Sequence, residues 1–166
     1  GTLEVIQDWQ DNKGTTLVVE TVKYVFYPGK HSWWVDHIST LTAATEVTIT
    51  DNKEGMFAIR VDRAFEMPSK DNVIFTDDKG NPTTVKATDN TGVTGMYTSS
   101  SGKTGDAVWG TRNEWVALTG TKDNVKVSFA IFDNPKNPGF PAYAHARGYG
   151  LFSVNNLGEK SYDPKQ

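Results

Sequence analysis

Val125, Val127, Phe129 and Ile131 alternate with Lys126, Ser128 and Ala130. Only an extended strand sends successive side chains to opposite faces, so this run predicts a strand with one buried face. Phe132 then leads into a Pro-Gly loop. Other β-rich runs lie at Thr16–Tyr27, Ser32–Leu41, Glu46–Thr50, Met56–Val61, Trp115–Leu118 and Tyr149–Val154. Turn-formers such as TDNKEG, TDDKGNP and GTKDN separate most of them. Only LTAAT has helix-forming composition, and the threonine and β-branched residues around it favour strand. Seven or more short strands at this spacing predict an all-β fold. The expected form is an antiparallel β-sandwich, standing alone or as half of a larger β-supersandwich.

With 166 residues, 37% hydrophobic and 22% charged, the chain suits one globular domain with a buried core. That domain is expected over residues 1–158, and 159–166 as a solvated tail. Residues 67–106 are polar, glycine-rich and weakly periodic, and are expected to form long loops or short edge strands. A formal charge of -3 with interspersed lysines and arginines argues against a nucleic-acid partner, which calls for a basic stripe. No run approaches the roughly 20 apolar residues of a membrane-spanning helix. The absence of cysteine removes disulfides, thiolate metal sites and a cysteine nucleophile. A start at Gly1 fits a trimmed product, and an extracytoplasmic location, periplasmic or secreted, is expected.

Two motifs are set aside. SSSGKTG holds the GKT of a phosphate-binding loop, but Tyr97 stands where that loop needs its first glycine, and no strand-to-helix context surrounds it. His31 and His37 flank WWVD without the spacing of a helical zinc pair, and His145 is distant in sequence. Neither a metal nor a cofactor is expected, and TDDKGNP and TDNKEG read as acidic turns before they read as calcium loops.

Groups able to bind or react concentrate between Trp109 and Gly150, in WGTRNEW, FDNPKNPGFP and HARGYG. On an extended segment His145, Arg147 and Tyr149 share a face, bringing together a base, a cation and a phenol. Alternatively Tyr149 is core and His145 caps a loop. Trp109 offers a stacking platform, Arg112 a polar clamp and Glu114 an acid or base. The alternative packs both tryptophans of WGTRNEW between sheets and pairs Arg112 with Glu114 on the surface. Asp133, where the strongest strand ends, can point into a cleft and orient His145, with Pro135, Pro138 and Pro141 stiffening the approach. It can equally bond the backbone of its own turn. Lys53-Glu54-Gly55 reads as a tight connection, and Asp36, between Trp34 and His37, as a member of a buried network.

The succession WWVDHISTLTA, TDNKEGMFAIRV, WGTRNEWV, AIFDNPKNPGFP and HARGYGLFSVN resembles the C-terminal part of an uncharacterised bacterial family labelled methane oxygenase-like. The resemblance covers roughly residues 3–157 and is strongest between Trp109 and Phe152. Members usually carry a preceding part with a histidine-rich His-His-Arg segment, which this chain lacks. The resemblance therefore implies part of a longer polypeptide, with any site shared between the parts incomplete here. By fold-level analogy it implies a sandwich of the sugar-mutarotase-like or polysaccharide-processing kind.

Three functions remain open. One is a carbohydrate-active enzyme, or a catalytic fragment of one, an isomerase, lyase or hydrolase. In it His145 and Asp133 or Glu114 exchange protons with a small-molecule or oligosaccharide ligand held by Trp109, Arg112, Arg147 and Tyr149. The second is a noncatalytic sugar-binding module using Trp109, with Trp33 or Trp34 as further platforms. The third is a structural domain that self-associates or joins a missing N-terminal half.

Overall fold

The protein is all-β and built from antiparallel sheets, in a computed structural model that describes residues 1–50, 56–69, 76–83 and 89–158. It divides into two compact units, Gly1–Thr50 and Asp51–Gln166. The Lys53-Glu54-Gly55 turn and the 159–166 tail lie outside the described residues.

The first unit is one sheet in the order β1 (Thr2–Gln10), β2 (Thr16–Pro28), β3 (Trp33–Ala43). Register follows the period-2 pattern of β2. Leu3, Val5, Gln7 and Trp9 of β1 and Val35, His37, Ser39 and Leu41 of β3 lie on one face with Val18, Glu20, Val22 and Tyr24. Val18 and Val22 are buried there, and so is Glu20, only 7% exposed. A buried carboxylate needs donors. Glu20 accepts from Ser39 Oγ at 2.6 Å, Gln7 Nε2 at 2.6 Å and Trp9 Nε1 at 3.0 Å, which ties all three strands together. Burial pushes its carboxyl up, but these bonds and the nearby His37 outweigh burial and leave it below its ordinary value. Leu41–Ala43 of LTAAT ends β3 as strand. Glu46–Thr50, expected as a strand, belongs to none. Its β-branched residues supply propensity, but a strand also needs a partner ladder, and among the described residues this segment has none.

The second unit is a β-sandwich. One of its sheets runs β4 (Phe57–Arg60), β9 (Leu151–Asn155), β8 (Tyr143–Ala146), and the other runs β5 (Met96–Ser99), β6 (Trp115–Lys122), β7 (Val125–Phe132). Tyr97, Val116, Leu118 and Ile131 from one sheet and Ala144, Ala146, Phe152 and Val154 from the other form a single core with Phe65, Val108 and Ala142. Tyr97 meets Phe152 edge-on at 5.5 Å, and Phe65 meets Phe129 edge-on at 5.0 Å.

Along β7, Ile131 is buried and Val127 and Phe129 pack against the core, as the alternation requires. Val125 departs from it at 59% exposed. It pairs with Lys122 beside the two-residue turn Asp123-Asn124, where the hairpin runs out past the core. Both turn residues have left-handed φ, 51° and 63°, the conformation that lets a two-residue loop follow the strand twist and that Asp and Asn tolerate.

Within 67–106 the described parts include β5 and the start of the 3-10 turn Gly105–Val108. Chain crossing is tightest at Gly95, where a Cβ would lie 2.0 Å from the Phe65 carbonyl oxygen. The SSSGKTG segment is a closed turn in which Ser99 and Lys103 pair through backbone. Among the described residues no helix is long and apolar enough to cross a membrane.

Candidate functional site

Strand β8 is short and buried along its whole length, which is why its small residues gave little strand pattern. It ends at Ala146, and residues 147–150 turn back into β9 through Arg147 N–H to Leu151 O at 2.9 Å and Gly150 N–H to Arg147 O at 3.1 Å. The expected extended segment is therefore only half present: His145 is on the strand, Arg147 and Tyr149 on the turn. Tyr97 secures this turn from inside the sandwich, its hydroxyl facing the carbonyls of Arg147 at 3.1 Å and Leu151 at 3.3 Å. Burial pushes the Tyr97 hydroxyl well above the ordinary tyrosine value.

Trp109 joins the two parts. Its indole N–H donates to His145 Nδ1 at 3.4 Å, and the Arg147 guanidinium lies over its ring, 4.9 Å from the centroid. With a donor at Nδ1, the proton of a neutral His145 sits on Nε2. His145 is 2% exposed, so it supports the half-buried Trp109 from beneath. Arg147 also reaches Tyr149, its guanidinium 5.5 Å from the ring and its Nε 3.4 Å from the hydroxyl.

Arg60 completes this group and was not anticipated from sequence. Its guanidinium lies 5.5 Å from the centroid of the same Tyr149 ring. The signal was available in FAIRV. Phe57, Ile59 and Val61 pack on the core, so the intervening Arg60 must face outward. Among the described residues no carboxylate forms an ion pair with Arg60 or Arg147. The result is a surface with two arginines around an exposed phenol, beside a half-buried indole.

Asp133 and Arg112 form a second group that organises the loop between β7 and β8. Asp133 Oδ1 accepts from Asn137 Nδ2 at 2.8 Å and Asn156 Nδ2 at 2.7 Å, while Oδ2 accepts from Ala142 N–H at 2.8 Å. These donors are loop and β9-end amides, not the His145 ring. Arg112 donates from Nε to Pro141 O at 2.8 Å and from Nη2 to Gly139 O at 2.6 Å, with Tyr143 5.1 Å below its guanidinium. Gly139 has φ 69°, and a Cβ there would lie 2.4 Å from Asn156 O, so glycine alone fits. Glu114 is exposed at the foot of β6 and engages its neighbours through its backbone, with its N–H to Ser100 Oγ and its carbonyl taking Asp133 N–H. The surface pair of Arg112 with Glu114 does not form. Trp115 begins β6 half-buried, and in the first unit Trp33 and Trp34 begin β3 exposed.

In TDDKGNP the Asp77 carboxylate is held by the side chain and N–H of Asn81 and the N–H of Lys79, which lower its pKa. Among the described residues no cluster of three or more His, Asp or Glu is arranged to hold a metal.

A sequence profile for a family of unknown function (DUF6807) matches residues 1–165. No curated protein and no solved structure matches the chain.

Proposed function

The chain belongs to that family of unknown function, and from that premise we propose that it is the saccharide-binding part of a carbohydrate-active protein whose ligand carries a carboxylate. The observation behind this is the placement of Arg60 and Arg147 around Tyr149, next to Trp109, with no carboxylate ion-paired to either among the described residues. A guanidinium holds a carboxylate through paired N–H donors. The Tyr149 hydroxyl adds a neutral donor and acceptor, and the indole of Trp109 offers its apolar surface to the C–H face of a pyranose. His145 holds Trp109 in place. Asp133 shapes the adjoining loop rather than serving as an acid, and Glu114 has no part in the proposed binding group. Any bond-breaking groups would come from elsewhere in a larger β-supersandwich. An extracytoplasmic setting suits such a ligand.

Calorimetric titration with glucuronate and with methyl glucoside tests the reading. Saturable binding of glucuronate that weakens with added salt, with little or none of the neutral glycoside, supports it. Equal affinity for both sugars, or none for either, sinks it.

A second reading is self-association through the first unit, favoured by Leu3, Val35 and Trp33 standing exposed on the same sheet face. Sedimentation velocity showing a monomer across a wide concentration range would dismiss it.

A further inference from the structure

The opposite face of the first unit carries an arrangement that the arginine site does not use. Tyr27 and Trp34 are register partners across β2 and β3, and Asp36 lies two residues along β3 on the same face. The Tyr27 hydroxyl donates to one oxygen of the Asp36 carboxylate at 3.2 Å, and the Trp34 indole N–H donates to the other at 3.0 Å. The three side chains line a shallow concavity of about 360 Å³. Both rings are open to solvent, Tyr27 at 49% and Trp34 at 64% exposed, which is unusual for side chains of this apolar area.

We infer that Tyr27, Trp34 and Asp36 form a second ligand site, specific for an uncharged pyranose. Each carboxylate oxygen accepts one bond from a ring and keeps a lone pair for a sugar hydroxyl. The rings supply flat apolar surface for the C–H groups of a sugar face and need no further ordering, because Asp36 already fixes both polar edges. Charge selects against an anion. Residues 1–50 contain six Asp and Glu against three Lys, and among the described residues the ionised group lining the concavity is a carboxylate. This site and the arginine group therefore favour ligands of different charge.

The experiment is an NMR titration of the intact chain, following the tryptophan indole N–H resonances, with cellobiose, maltose and lactose as probes. Tetramethylammonium chloride and glucuronate serve as the charged comparisons. The expected result is a saturable shift of the Trp34 indole with at least one disaccharide. Asp36→Asn, which keeps the shape, should weaken that affinity by about tenfold, the worth of one hydrogen-bonded charged group. Trp34→Ala should abolish the binding by calorimetry. Saturation by tetramethylammonium alone would make this a cation site and overturn the proposal. So would disaccharide binding that survives Trp34→Ala, or no saturable shift with any of the three sugars.

Discussion

The Arg147 guanidinium lies 4.9 Å from the centroid of the Trp109 ring, whose indole N–H in turn reaches His145 on the strand below. This stack links a buried histidine to a solvent-facing cation through a single aromatic side chain. Replacing Trp109 by alanine therefore affects both ends, whereas replacing Arg147 affects only the outer one.

Arg147→Ala is expected to weaken glucuronate binding by about 2 kcal/mol, roughly thirtyfold, as for a lost charge-assisted hydrogen bond. Arg147→Lys should restore only part of it, because a point charge lacks the paired donors of the guanidinium. Calorimetry on the two variants decides the matter. An alanine variant that binds like the parent removes Arg147 from the site.

Leu118 and Val125 test the packing of the second unit. Leu118 is fully buried, and Leu118→Ala should cost roughly 2 to 5 kcal/mol through lost burial and the cavity left behind. Val125 stands out beyond the core, and Val125→Ala should stay within about 0.5 kcal/mol. Denaturant midpoints at fixed m-value give both numbers, and a Val125 variant as damaging as the Leu118 one would show the β7 register to be wrong.

Acid should weaken the first unit in two stages. Burial, opposed by the charge of Glu20, holds His37 below its ordinary value of 6.5. The unfolded chain then takes up its proton first, so stability begins to fall as pH drops through about 6.5 and continues to fall down to the folded value. Glu20 lies below its ordinary 4.5, so its contribution is complete above that pH and is lost as pH falls through the lower folded value. Unfolding followed across the acid range on the parent and on Glu20→Gln separates the stages. Stability that rises on acidification, or an acid limb unchanged by Glu20→Gln, contradicts the assignment.

Asp133→Ala leaves Asn137, Asn156 and Ala142 without their acceptor, and should cost about 2 to 4 kcal/mol. Faster amide exchange should be concentrated in residues 134–142. A variant that keeps both its melting temperature and its exchange pattern would return Asp133 to the list of candidate acids.

Strands β2, β3 and β7 announced themselves because long alternating runs of branched and aromatic residues leave few other conformations open. β1 was missed: Ile6 follows Val5 directly and faces the opposite side of the sheet, so the alternation of Leu3, Val5 and Trp9 is blurred. β8 was missed because Ala144 and Ala146 fill tight space between neighbours, and small size carries no periodic signal. The concentration of chemistry between Trp109 and Gly150 was visible, and Trp109, His145, Arg147 and Tyr149 do come together. Asp133 and Arg112 turned inward to loop amides and carbonyls because hydrogen-bond partners are a matter of three-dimensional proximity, which spacing along the chain does not encode. Arg60 lay far outside the cluster in sequence and arrived through the β4–β9 pairing.

The turn at residues 147–150 is carried by two buried strands and pinned from within by Tyr97, while Arg147 and Tyr149 project from it towards solvent. Scaffold and proposed recognition thereby fall to separate residues. Under the proposed function, substitution at these outward positions would alter what is bound while the buried core is left alone, making the turn an exchangeable cassette on one sandwich.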